Sequence, residues 1–266
     1  MPTDLRSIAH DSLSLREPPY LKHYTDGRFR EWNGVTFVGS HMPGPGFNFA
    51  AVLRPDAPTL DQLLPLAQDF FEIAKDGWGV LVEGDAGHPM EAELRGRGWN
   101  VDEDEPAFVM PDIAAALPSI RAAEGLGFRP VTTPADIAAY SAVTAAAFHA
   151  PPEFADMMVP SLDYALDPDI ALFVGSVNGE DVTAIGFSRT GNTAVIAGTA
   201  TLEEHRGKGY GAAGIRAALE EALRRGCASA ALRSGPLSVP LYERCGFHFV
   251  CRHRTYRFPG VSSVGA

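Results

Sequence analysis

Glu203-Glu-His-Arg206-Gly-Lys-Gly209-Tyr-Gly211-Ala-Ala213 joins a β-rich run to a strongly periodic helix, and its three glycines decide how the chain is read. Glycine reaches positive φ and lets the backbone approach a ligand closely, so successive amides ahead of a helix can converge on an anion. The spacing points to a phosphate-bearing ligand. Arg206 and Lys208 add positive charge to a loop otherwise flanked by acids. The helix itself, from about Gly209, places Ile215, Ala218, Leu219, Ala222 and Leu223 on one face. Glu220 with Arg224 and Glu221 with Arg225 form i,i+4 pairs in the favourable orientation, and Gly226 stands where a glycine commonly ends a helix.

Working outward, Phe128–Thr132 reads as a strand, Pro134–Phe148 as a helix and Glu153–Ala165 as a second helical stretch. Three β-rich runs follow, Ile170–Val177, Val182–Ser188 and Thr193–Thr201, joined by Asn178-Gly179 and Gly191-Asn192, pairs that suit tight hairpins. Beyond the helix come a strand at Cys227–Leu232, a short helix at Ser238–Arg244 closed by Gly246, and strands around Phe249–Phe258. An antiparallel meander feeding a helix makes this an α+β half.

The 266 residues suit two domains, and the charge divides accordingly. Residues 1–125 carry most of the net charge of −11, and Leu117-Pro118 with Glu124-Gly125-Leu126-Gly127 reads as a linker between domains at 1–125 and 126–266. Leu94, Gly98-Trp99 and Phe108 recur as Tyr242, Gly246-Phe247 and Tyr256 at a constant offset of 148. Gly77-Trp-Gly-Val-Leu-Val82 recurs, one residue out of step, as Gly226 and the strand after it. The pattern predicts a duplicated fold.

A composition of 45% hydrophobic residues permits a real core, and the negative field disfavours nucleic acid and anionic lipid as partners. The longest apolar runs fall short of a bilayer span and Met1–Asp11 lacks a secretory core, so the expected location is cytoplasmic. Cys227, Cys245 and Cys251 form no C-x-x-C, and neither a disulfide framework nor a metal site is expected. H-E-x-x-H, G-x-S-x-G and Walker A sequences are absent.

Arg206, Gly209 and Gly211 meet the pattern R-x-x-G-x-G, which resembles the acetyl-CoA pyrophosphate signature of the GNAT superfamily of N-acetyltransferases. Leu241-Tyr242-Glu-Arg-Cys-Gly246-Phe247 resembles the family's second motif, L-Y-x-x-x-G-F, in register one helix and one strand later. The resemblance covers about Phe128–Phe258, and reaches the first half only through the repeat. It implies a mixed, mostly antiparallel sheet flanked by helices, in tandem. Gly209-Tyr-Gly211-Ala-Ala-Gly214 also satisfies a dinucleotide fingerprint, but Glu203-Glu204-His205 separate it from its strand and Leu232-Arg233 supply no acid for a ribose. An NADP-dependent oxidoreductase therefore fits less well.

The resemblance implies acetyl-CoA as co-substrate, no metal, and direct attack of an unprotonated amine on the thioester. Arg206, Gly207, Lys208, Gly209, Tyr210, Gly211 and Ala212 would hold the pyrophosphate, and Thr199, Ala200 and Thr201 would pair with the pantetheine arm. Tyr242 occupies the position of the phenol that protonates the leaving thiolate. Two departures stand out: Thr201-Leu202-Glu203 replaces Val-x-Pro before the loop, and Gly235 replaces an Asn seven residues before the tyrosine. Thr193–Thr201 also lacks the glutamate that many relatives use as base, leaving Glu153, Asp156 and His149, then Glu203 and Glu204, as candidates. Position 57 of the first half, the counterpart of Arg206, is an alanine beside Asp56, and Leu94 replaces the tyrosine, so that half is expected to be non-catalytic. The acceptor is a small-molecule amine or a peptide amine, and the chain a monomer or homodimer. The principal alternative is a catalytically silent acyl-CoA-binding or regulatory module.

Overall fold

The computed structural model describes residues 4–74 and 77–260. The first half supplies α1 (Leu5–His10), β1 (Arg28–Trp32), β2 (Val35–Gly39), β3 (Phe49–Val52), α2 (Leu60–Phe70), β4 (Gly79–Gly84), α3 (Pro89–Gly96), β5 (Asn100–Met110) and α4 (Ile113–Ala116). The second supplies β6 (Leu126–Pro130), α5 (Pro134–Phe148), α6 (Pro152–Met158), α7 (Leu162–Ala165), β7 (Ile170–Val177), β8 (Glu180–Thr190), β9 (Thr193–Thr201), α8 (Tyr210–Arg224), β10 (Ser229–Arg233), α9 (Val239–Arg244) and β11 (His248–Arg257).

Local chemistry accounts for these boundaries. A Thr133–Asp136 capping box starts α5. The expected second helical stretch splits into α6 and α7 because Pro160 forces Val159 out of the α region. Asn178 and Gly179 both have positive φ, whereas only Gly191 does in the next hairpin, as type I′ and II′ turns require. Along α8, Glu221 pairs with Arg225 at 2.6 Å, but Glu220 pairs backwards with Arg216 at 2.9 Å, and Arg224 turns to Glu221 instead.

The strands form one sheet in the order β1-β2-β3-β4-β11-β5-β10-β9-β8-β7-β6. Two pairs are parallel, β3 with β4 and β9 with β10, and the rest are antiparallel. This is the mixed, mostly antiparallel α+β sheet, and apart from the edge strand β6, which the first half lacks, its two halves repeat the same order with one exchange. The last strand of each half sits in the other half: β11 lies between β4 and β5, and β5 lies between β11 and β10. The expected strands around Phe249–Phe258 are therefore one long strand. Its Tyr256 completes the core beneath α2 and α3, while Phe108 and Met110 of β5 complete the core beneath α8. On the opposite face α5 packs over β7, β8 and the end of β9, joined by Tyr24 and Met42 from the first half. Burying each half's last strand in its neighbour's core makes the two cores mutually dependent.

Candidate active site

β9 and β10 pair from Thr193 opposite Ser229 as far as Val195 opposite Ala231, and beyond that point the two strands part. On its other side β9 pairs with β8, where the register slips between Ala184–Ala200 and Gly186–Ala197. Gly198 forms this bulge with φ +63°, and a Cβ there would stand 2.3 Å from the Tyr140 hydroxyl. Only glycine satisfies both demands. The extra residue turns the strand over: Ala194 and Ile196 face the α8 core, whereas Ala200 faces the α5 core.

Tyr242 projects from α9 into the gap. Its ring packs edge-on against Phe247 at 5.9 Å and tilted against Phe108 at 6.4 Å. Burial pushes its phenol up, which keeps it protonated at neutral pH, and the nearby Thr199 side chain partly opposes that shift. The Thr199 hydroxyl is itself buried without a well-formed hydrogen bond. Ala200 is buried and its carbonyl accepts from Thr183, while the Thr201 hydroxyl lies 3.0 Å from that of Thr183.

The glycine loop follows. Gly207 and Gly209 have φ of +77° and +85°, and a Cβ at either would meet no atom within 4 Å, so their space is open. Ala213 N–H donates to the Gly209 carbonyl. Among the described residues no group outside the helix takes the amides from Gly207 to Ala212, which leaves them available to an anion. Lys208 is exposed beside them. Arg206 acts differently: its guanidinium donates to the carbonyls of Thr201 at 3.1 Å and Ala147 at 2.8 Å, tying the loop to β9 and the end of α5. Tyr210 stacks on His205, and Gly211 lets α8 approach Leu241 of α9.

Residues 139–247 match the model of the acetyltransferase (GNAT) family. The second half carries a GNAT domain. Among solved structures, a GCN5-related N-acetyltransferase from Kribbella flavida superposes with a TM-score of 0.68 at 17% identity, covering 98% of this chain and 97% of that one. A tandem GNAT protein from the clavulanic acid biosynthesis pathway gives 0.60 at 14% identity, covering 96% and 91%. A functionally unknown conserved protein from Staphylococcus epidermidis gives 0.63 at 16% identity over 89% and 95%. Such identities show the fold alone, and they extend the GNAT-like fold to the first half. No curated protein matches.

Where the GNAT domain leaves the amides of α8 open, the matching helix of the first half does not. The N-terminal turn of α2 is closed by a Thr59–Gln62 capping box, and Leu60 N–H donates to the Glu93 carboxylate at 3.1 Å. An internal carboxylate thus fills the place an external anion would take.

The acids singled out beside the site are dispersed. Glu153, Asp156 and Glu204 are exposed, and His149, the left-handed cap of α5, stands 4.0 Å from Glu203 with both side chains in solvent. Sequence reading missed Glu103 and gave Arg233 no part in the acetyl-transfer site. β10 ends at Arg233, opposite Ala107, so the stretch of β5 before Ala107 borders the gap beyond β10. Glu103 lies there on the face shared with Arg233, packed so closely on Gly46 that a Cβ would come within 2.4 Å of its carboxylate. Burial pushes the Glu103 carboxyl up, Arg233 restrains the shift, and Glu105 and Asp102 reinforce it. No short motif carries this signal, because the residue belongs to the half without the family match.

Proposed function

We propose that the chain is an acetyl-CoA-dependent N-acetyltransferase whose second half, residues 126–266, acetylates a primary amine by direct attack, while the first half, residues 1–125, is non-catalytic and completes the site. The observation that carries this reading is the row of untaken amides from Gly207 to Ala212, beside the open space at Gly207 and Gly209. The pyrophosphate binds those amides, and the pantetheine arm extends the unpaired edge of β9 at Thr199, Ala200 and Thr201 like an added strand. Arg206 positions the loop and Lys208 supplies free charge.

The thioester then lies at the bulge. Glu103 accepts a proton from the incoming ammonium, the neutral amine attacks the carbonyl carbon, and the oxyanion collapses with loss of thiolate. Tyr242, protonated because it is buried, gives its proton to the sulfur, and its phenolate takes back the second proton that the attacking nitrogen sheds in becoming an amide, while Glu103 returns its proton to solvent. The negative first half favours a cationic small amine or peptide amine by steering. Strand exchange within one chain reproduces the contacts of a pair of domains, so we assign a monomer. No described helix is long and apolar enough to cross a membrane.

Calorimetric titration of acetyl-CoA into the wild type and Gly209→Val, with NADPH as control, tests the reading. Binding lost in the variant and silence from NADPH are expected; absence of acetyl-CoA binding overturns it. Turnover of a panel of amines then separates an enzyme from a silent acyl-CoA-binding module, which has no turnover to lose in Tyr242→Phe.

A further inference from the structure

Three donor side chains from opposite ends of the chain meet beneath the first helix, on the face of the sheet that also carries Glu103 and Arg233. α1 brings His10, and β11 brings Cys251 and His253, which share one face of the strand because they are two residues apart. One donor atom from each lies within 4.8 Å of the other two, and His10 Nε2 is 3.9 Å from Cys251 Sγ. Glu83 of β4 stands directly across the seam from His253, and its Oε2 is 3.0 Å from His10 Nε2. Three of the four are deeply buried, His253 at 1% exposed, Glu83 at 4% and Cys251 at 5%, while His10 is partly buried at the rim. Neither ring nitrogen of His253 has a hydrogen-bond partner. Buried polar atoms are nearly always paired, and a neutral imidazole offers one donor and one acceptor, so two unpaired nitrogens in one sealed ring call for another occupant.

We propose that His10, Cys251 and His253 form a buried transition-metal site, closed by Glu83 in the fourth position, and that its ion is zinc. One thiolate, two imidazoles and a carboxylate make a tetrahedral zinc donor set. The thiolate and carboxylate neutralise the dication, which removes the cost of burying it. Arg6 holds the other oxygen of Glu83 at 3.0 Å and orients the carboxylate as an outer partner. Binding replaces the Cys251 S–H bond with an S–metal bond and releases that proton to solvent; the imidazoles stay neutral and no electron moves. With four protein ligands the site is structural. It clamps α1 to β11 and β4, fastening the exchanged strand in the first half. The sequence spacing hides it, since Cys251-Arg-His253 is too short for a finger and His10 lies 241 positions from Cys251.

The test uses the full untagged chain, stripped with a chelator and titrated with Co²⁺ and then Zn²⁺. We expect one Co²⁺ per chain with a thiolate-to-cobalt charge-transfer band and intense tetrahedral d–d bands, displaced by one Zn²⁺, and a thermal midpoint raised by zinc. Cys251→Ser loses the charge-transfer band. His10→Gln, a substitution that a helix tolerates, keeps the native circular dichroism while metal affinity falls at least about ten-fold and the zinc-dependent rise in midpoint disappears. A wild type that shows no charge-transfer band or no stoichiometric binding overturns the proposal. So does a folded His10→Gln protein whose affinity and spectrum match the wild type.

Discussion

The ring of Phe108, carried by the last strand of the first half, lies 6.4 Å from that of Tyr242, the candidate acid of the second half. The exchanged strand therefore builds one wall around the phenol. Phe108→Ala removes a fully buried ring and is expected to cost about 3–5 kcal/mol of stability in chemical denaturation. It should also lower kcat in the protein that remains folded, because Tyr242 loses the packing that fixes its rotamer. Unchanged kcat at full folding would separate the two residues.

Tyr242→Phe keeps the ring and deletes only the proton donor. We expect acetyl-CoA affinity within two-fold of wild type and kcat reduced by roughly 100-fold, the scale of one general acid. Loss of affinity matching the loss of kcat would assign the hydroxyl to cofactor binding instead.

For Glu103 the sign follows from the base being active when ionised. Its carboxyl is raised by burial, so kcat/KM should fall as pH drops through that raised value, at a higher pH than an ordinary exposed glutamate would give. Glu103→Gln should lower kcat by about 100-fold and flatten the acid limb of the profile. An unaltered limb would remove Glu103 from the mechanism.

Asp167 governs acid stability. Burial would raise its carboxyl, but bonds from Lys22 and His23, both 2.7 Å, and from the Asp169 amide at 2.8 Å hold it down at about 2. A depressed carboxyl stabilises the fold above its unfolded value near 4 and loses that contribution as pH falls towards 2, an effect on the order of 1–2 kcal/mol. Asp167→Asn should lower stability at pH 7 by about that much and reduce the slope of the acid branch. Parallel wild-type and variant curves would exclude this role.

Mutual burial of β5 and β11 predicts a single unfolding transition. Tyr256 is fully buried in the first half's core and its hydroxyl donates to Glu91 at 2.8 Å, so Tyr256→Ala should lower the midpoint of both halves together. Two resolved transitions in calorimetry would show the halves to be independent.

The constant offset between Phe108 and Tyr256 was legible in the sequence, as were the bounds of α5, β7 and β9, because hairpin pairs, capping residues and hydrophobic periodicity are local. The glycine loop was legible for the same reason: positive φ and an untaken helix terminus are properties of a few consecutive residues. The partners of those residues were not. Phe108 and Tyr256 are equivalent by repeat yet pack in each other's half, a choice made by which core each strand could fill. Arg206 carried charge in the sequence, but the fold spends its guanidinium on the carbonyls of Ala147 and Thr201. Glu103, and the meeting of His10 with Cys251 and His253, depend on contacts between residues more than a hundred positions apart. The sequence by itself determined the glycine loop ahead of α8 and the duplicated order of strands and helices. Only the tertiary structure decided which side chains share a buried site, since burial and pairing across a sheet seam are set by strand exchange and not by spacing along the chain.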